Sequence, residues 1–263
     1  MTTSTHTVSD SATMLRRDLK HLLRYPSVTV MLIAMPVVFL LLFVYVLGGT
    51  LGNGLDAGTG GRAEYLSYVV PGILVIAIAA VAQGTAIFVA MDMTEGIIAR
   101  FRTMAISRTA VLAGHVGGSM IQTALGIAAV VAVATAMGYR ASATAMEWLA
   151  ALAVLAMIAF ALTWLTVALG IAAKSVESAS NTPMFLVILP FLSSGFAPTD
   201  SMPPAVQWFA EHQPFTPFID TVRGLLSGSP DASSAIATTA WCAAIALGSY
   251  WWARSSYERR SLR

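Results

Sequence analysis

Met93–Arg108 reads MTEGIIARFRTMAISR, a charged island between two long apolar runs, 66–90 and 110–137. On a helical wheel Met93, Ile97, Ile98, Phe101, Met104 and Ala105 share one face, Glu95, Arg102 and Thr103 share the other, and Arg100 lies at the border. An amphipathic helix flanked by membrane-length runs lies in the headgroup plane or against a partner protein. That reading decides the fold class. The flanking runs become membrane spans, and the island becomes a helix at one bilayer face.

The composition agrees, with 57% hydrophobic and only 11% charged residues, where a soluble domain carries about 25% charged. Six apolar runs approach or exceed the ~20 residues that cross a hydrocarbon core of roughly 30 Å: 27–48, 66–90, 110–137, 147–172, 182–197 and 233–253. The fifth is the shortest. The expected fold is an all-α membrane protein of six transmembrane helices forming one domain, 1–263. It comprises a disordered Thr/Ser-rich tail at 1–10, an interfacial helix at 11–25, the six-span bundle at 27–253 and a basic tail at 254–263.

Charge placement sets the expected topology. Arg16, Arg17, Lys20 and Arg24 precede the first run; Arg100, Arg102 and Arg108 follow the second; Lys174 follows the fourth; Arg254, Arg259, Arg260 and Arg263 follow the sixth. Only Arg62, Arg140 and Arg223 lie in the alternate loops. Basic residues concentrate on the cytoplasmic side, so the island and both termini are expected there. The charge reads as topology and not as a nucleic-acid surface. Cys242 is the single cysteine, so no intrachain disulfide and no cysteine-rich metal spacing exist. The first run is too long for a signal-peptide core and is read as a retained span.

Between Met14 and Tyr25, Leu15, Leu19, Leu22 and Leu23 oppose Arg16, Arg17, Lys20 and Arg24, a basic amphipathic helix suited to an anionic leaflet. Tyr65 and Tyr68 fit an interfacial aromatic belt. In the third run Gly114, Gly118, Gln122 and Gly126 form a stripe of small residues with one amide. Such a stripe allows close helix approach and a hydrogen bond across it, favouring packing within the monomer over a subunit interface. Pro183 and Pro190 fall in the fifth run, where Pro190 should kink or weaken the helix. Such a break persists in a membrane only where neighbours or water satisfy the freed backbone. Two short helices, near 203–212 and 217–227, are expected in the Pro- and aromatic-rich stretch Ser193–Leu226, capping the bundle or dipping into the outer headgroup layer.

These residues resemble the membrane subunit of ABC-2-type exporters, in the branch of daunorubicin-resistance-type drug permeases of actinobacteria. One signature is Asp92–Gly96 (DMTEG) leading into Ile97–Arg108. The other is Ser194–Phe196 with Pro198 and Met202–Pro203, then Gln213–Thr216 (QPFT) and Arg223–Gly224. The family often has Asn-Pro where Gln213-Pro214 stands here. The resemblance implies that the island is a coupling helix docking on a cytoplasmic ABC ATPase, with Asp92, Glu95, Gly96, Ile97, Arg100, Phe101, Arg102 and Met104 as coupling residues. It also implies two ATPase copies that bind ATP and Mg, a second permease copy as homodimer or heterodimer, and a substrate path in which spans two and five are prominent.

The residues bear independently on mechanism. The chain has no G-x-x-x-x-G-K-[ST] phosphate loop, and its only lysines are Lys20 and Lys174. ATP-driven work therefore requires another chain, and this subunit is not expected to be an enzyme. An intramembrane enzyme is the weaker alternative: no H-E-x-x-H is present, and His6, His21, His115 and His212 are scattered. Ion coupling would need ionisable groups within spans; Asp92, Glu147 and Lys174 lie at span ends. An apolar, hydroxyl-lined path suits a hydrophobic or amphiphilic drug, antibiotic or lipid-like metabolite more than a polysaccharide precursor. Candidate path residues are Gln83 and Thr85 in the second span and Phe185, Ser193 and Ser194 in the fifth. The expected location is the bacterial cell membrane, as a multi-pass protein.

Overall fold

The computed structural model describes residues 26–55, 61–94 and 108–260. The expected tail 1–10, the interfacial helix 11–25 and the coupling residues Glu95, Gly96, Ile97, Arg100, Phe101, Arg102 and Met104 lie outside the described residues. Helix α1 (Pro26–Leu42) passes through a π-helical turn (Phe43–Leu47) into α2 (Gly48–Leu55). Then come α3 (Gly61–Thr94), α4 (Arg108–Ala136), α5 (Ala145–Ala172), α6 (Val176–Asn181) and α7 (Met184–Ile188), which ends in a 3-10 turn (Leu189–Leu192). After a second 3-10 turn (Thr199–Ser201) follow α8 (Pro204–His212), α9 (Phe215–Ser227) and α10 (Ala232–Arg260).

Among the described residues, five helices are long and apolar enough to cross a membrane: Val30–Gly52, Gly61–Thr94, Ala113–Ala136, Ala145–Ala172 and Ala232–Ser256. They account for five of the six apolar runs. Five such helices are described where six spans are expected; the fifth run, 182–197, falls partly in a shorter apolar helix, Val176–Leu192. The run is broken into α7, a 3-10 turn and extended backbone at Ser193 (φ −129°, ψ −175°). Pro183 and Pro190 each remove a backbone donor and crowd the preceding turn, so the regular α-helix is interrupted there and the segment stays short.

The helix starts follow their caps. Thr144 and Glu147 form a capping box at α5, with Glu147 Oε2 accepting from the Thr144 N–H at 2.7 Å. Asp231 accepts from the backbone N–H of Ser233 and Ser234 ahead of α10. Hydrogen bonds from the Ser233 hydroxyl, the Ser234 hydroxyl and those two amides hold the Asp231 carboxyl well below the usual carboxylate range. At the end of α9, Gly228 takes the left-handed conformation (φ 73°) that glycine adopts without a Cβ penalty.

Helix α3 is apolar all round and forms the centre of the bundle, as such a helix must. Ile73, Leu74, Ile76 and Ile78 are buried in one core with Leu155, Ile158 and Leu162 of α5 and Phe215 and Phe218 of α9. The 34 residues of α3 make a rod of roughly 51 Å. Helix α4 runs antiparallel to it and α5 and α10 run parallel to it, so the four long helices share two ends. One carries Thr94, Arg108, Ala172 and Arg260; the other carries Gly61, Ala136, Ala145 and Ala232. Apolar side chains also point outward, among them Met31 and Val46 near the start and Ile236, Leu247 and Trp251 on α10. A surface of that extent calls for lipid or another subunit around it.

Candidate functional site

The break in the fifth run is the structure's most elaborately supported feature. Its backbone from Ser193 to Phe196 is buried, so each carbonyl freed from helical bonding needs a donor. Five have one. Gln213 Nε2, at the turn between α8 and α9, donates to Leu192 O at 2.6 Å and Leu189 O at 3.2 Å. Ser193 Oγ donates to Pro190 O at 2.5 Å. Tyr65 Oη donates to Phe196 O at 3.3 Å, and Tyr68 Oη to Ser194 O at 2.8 Å.

Arg223 of α9 closes a loop of bonds around Ser194. Its Nη2 donates to Ser194 O at 2.6 Å and its Nη1 to Asp220 Oδ1 at 2.6 Å. Ser194 Oγ donates to the same Asp220 oxygen at 2.6 Å. The guanidinium also lies over the Tyr68 ring, 4.1 Å from its centroid, a cation–π contact. Three elements, α3, the broken segment and α9, are thereby tied together by one cation. Packing reinforces the tie. Gly72 of α3 faces Gly195 so closely that a Cβ there would lie 3.0 Å from Gly195 O. Phe191 and Phe196 stack at 4.8 Å, with Phe43 of the π-turn 4.5 Å from Phe196 and Phe39 5.4 Å from Phe191. Tyr65 and Tyr68 thus face inward as braces, correcting the expected headgroup belt. Tyr65 is fully buried, because α3 begins at Gly61 and carries both tyrosines down into the bundle.

At the opposite end of α3, Asp92 is buried and its Oδ2 lies 3.2 Å from His115 Nε2 of α4. This contact joins the two helices that flank the charged island.

The path candidates do not converge. Gln83 Nε2 donates to Ser180 O at 2.9 Å, tying α3 to α6. Thr85 is buried and bonds back to Val81 O within α3 at 3.1 Å. Phe185 is 43% exposed on α7. Ser193 and Ser194 belong to the break, roughly 22 Å along the α3 axis from Gln83, taking fifteen residues between Tyr68 and Gln83 at 1.5 Å each. The hydroxyls of Ser193 and Ser194 are committed to Pro190 O and Asp220, and His115 sits with Asp92 at the other end. The two serines and this histidine therefore do not assemble a nucleophilic site.

Sequence reasoning missed Gln213, Asp220 and Arg223 as supports of the break. One signal pointed to Arg223: it is one of the few basic residues outside the loops expected to be cytoplasmic, so topology did not account for it. Asp220 precedes it at the i,i+3 spacing that lets two side chains on a helix meet.

Residues 11–226 match the family described as ABC-2 type transporter. The chain is 28% identical over 223 residues to a daunorubicin resistance ABC transporter permease protein of Streptomyces coeruleorubidus, a match covering 84% of this chain and 76% of that protein. It is also 28% identical over 218 residues to a probable doxorubicin resistance ABC transporter permease protein of Mycobacterium tuberculosis, covering 80% of this chain and 76% of that protein.

Proposed function

This chain belongs to the ABC-2 type transporter family, and from that membership we propose that it is the permease of an ATP-driven exporter of hydrophobic or amphiphilic small molecules. The observation that carries the proposal is the family match over residues 11–226 in a chain without a phosphate loop of its own. Energy then comes from a separate ABC ATPase, two copies of which hold ATP and Mg and dock on the cytoplasmic face. A second permease copy, identical or related, completes the transmembrane unit. Both termini and the Met93–Arg108 island face the cytoplasm of a bacterial cell, as the basic residues favour.

The geometry suggests how docking and transport connect. The island follows directly on α3, whose far end bonds the broken segment through Tyr65 and Tyr68. A packed helix moves as a unit, since cores are bistable rather than continuously deformable. Movement of an ATPase cleft against the island would displace α3 along with Asp92 and His115, and would disturb the bonds at Ser194 and Phe196. The break is thus a gate governed from the opposite end of the same helix. The cargo class follows from the apolar spans and from the drugs in the relatives' names.

Charge reversal in the island tests the docking assignment. Glu95→Lys and Arg102→Glu should each lower ATP-dependent efflux about tenfold, as expected for loss of one interface anchor, with normal amounts of permease in the membrane. Normal efflux at normal expression in both variants would remove the assignment.

A further inference from the structure

Gln122 lies near the middle of the span Ala113–Ala136 and is only 3% exposed. A hydrogen bond across the helix contact is the expected use of its amide. Instead Nε2 is buried without any hydrogen-bond partner. A buried donor left unpaired is costly, and leucine would serve packing better at that depth. Its polar neighbours on the same face bond elsewhere and none accepts from it: His115 pairs with Asp92 at 3.2 Å and Ser119 with Thr163 of α5 at 3.1 Å. Gln213 Oε1 and Arg223 Nε are also unpartnered, but those two side chains use their other polar atoms to hold backbone carbonyls. Gln122 holds none.

One turn further on, Gly126 is buried, yet a Cβ built on it would meet no atom within 4 Å. Open space therefore lies against the helix one turn from the amide. Ile121 and Leu125, 37% and 53% exposed, flank it toward the exterior of the bundle. An unpaired donor at mid-membrane depth, one turn from a space reached past apolar side chains, suits an apolar molecule that carries an acceptor oxygen.

We propose that the Gln122–Gly126 face of α4 is a cargo subsite, in which an apolar ring lies against Gly126 and a carbonyl or hydroxyl oxygen accepts from Gln122 Nε2. The subsite rests on the export function proposed above and adds the chemistry of recognition. A site with a buried donor rejects analogues that lack the acceptor, since the donor is then left unpaired.

The probe is daunorubicin, a fluorescent ring system bearing quinone and hydroxyl oxygens, titrated against the purified permease–ATPase complex. Gln122→Leu keeps the bulk and removes the donor. It should weaken binding about tenfold, the loss of one good hydrogen bond, raise the half-saturating concentration for efflux, and unfold at a higher temperature because the orphaned donor is gone. Gly126→Ala should fold normally, and Gly126→Ile, which fills the space, should abolish saturable binding. Unchanged affinity in Gln122→Leu and Gly126→Ile overturns the subsite. Altered self-association of the permease with unchanged drug affinity also overturns it, assigning the face to a second copy. If wild type binds the drug and the variants match it, only the subsite falls; if wild type binds none, the drug-export function falls with it.

Discussion

Arg223→Ala should release the broken segment from both helices that hold it. The guanidinium is the one group that bonds Ser194 O, bonds Asp220 and covers the Tyr68 ring. Its loss leaves Asp220 beside Ser194 without a cation and leaves Ser194 O with Tyr68 alone. Breaking a fully buried pair costs about 3–5 kcal/mol and an exposed one about 0–1. The side chains here are 22% and 34% exposed, so an intermediate cost of about 2 kcal/mol is expected. A lower thermal unfolding temperature of the purified permease would report it. ATP hydrolysis by the complex should continue while drug efflux falls, because the gate no longer follows α3. Arg223→Lys should fall between, since an ammonium keeps the charge but not the planar fork that reaches two acceptors. Efflux and stability equal to wild type in Arg223→Ala would show that the loop of bonds has no role in the gate.

Gly170→Leu should prevent α3 and α5 from packing. A Cβ at Gly170 would lie 2.6 Å from Ala86 O and 3.0 Å from Val89 Cβ. The first neighbour is backbone and cannot rotate away, so the helices must separate. Overpacking by a methylene or two costs about 1–3 kcal/mol; Gly170→Ala should fall in that range, and Gly170→Leu should yield little folded protein. Gly248→Ala on α10 is the matched control. A Cβ there meets nothing within 4 Å, and alanine is favoured over glycine in a helix by roughly 0.5–1 kcal/mol. Fluorescence-detected size exclusion of the three variants would rank them. A monodisperse Gly170→Leu permease at wild-type yield would contradict the close helix contact.

Most of the fold was legible because bilayer crossing imposes a length and an apolar composition that a sequence displays directly. Five of the six apolar runs form long helices, and the short helices expected near 203–212 and 217–227 fall at Pro204–His212 and Phe215–Ser227. Proline marked the weakness of the fifth run, but not how the carbonyls freed there find donors. That outcome depends on Tyr65, Tyr68, Gln213 and Arg223, which lie up to 131 residues away in sequence from the carbonyls they satisfy. No local pattern encodes such partners. The same holds for Tyr65 and Tyr68, whose position near a run's edge suggests a headgroup belt until the helix start at Gly61 places them inside. Gln122 was legible as an amide in a small-residue stripe. Its lack of a partner is a property of the packed bundle alone.

The most direct test of ATP-driven drug export is transport in vesicles containing the permease and its ABC ATPase. The measured quantity is daunorubicin movement with ATP, with a non-hydrolysable analogue, and with each subunit omitted. Movement that needs both subunits and hydrolysis is the expected result. Daunorubicin movement by the permease alone, equal with and without ATP, would contradict it.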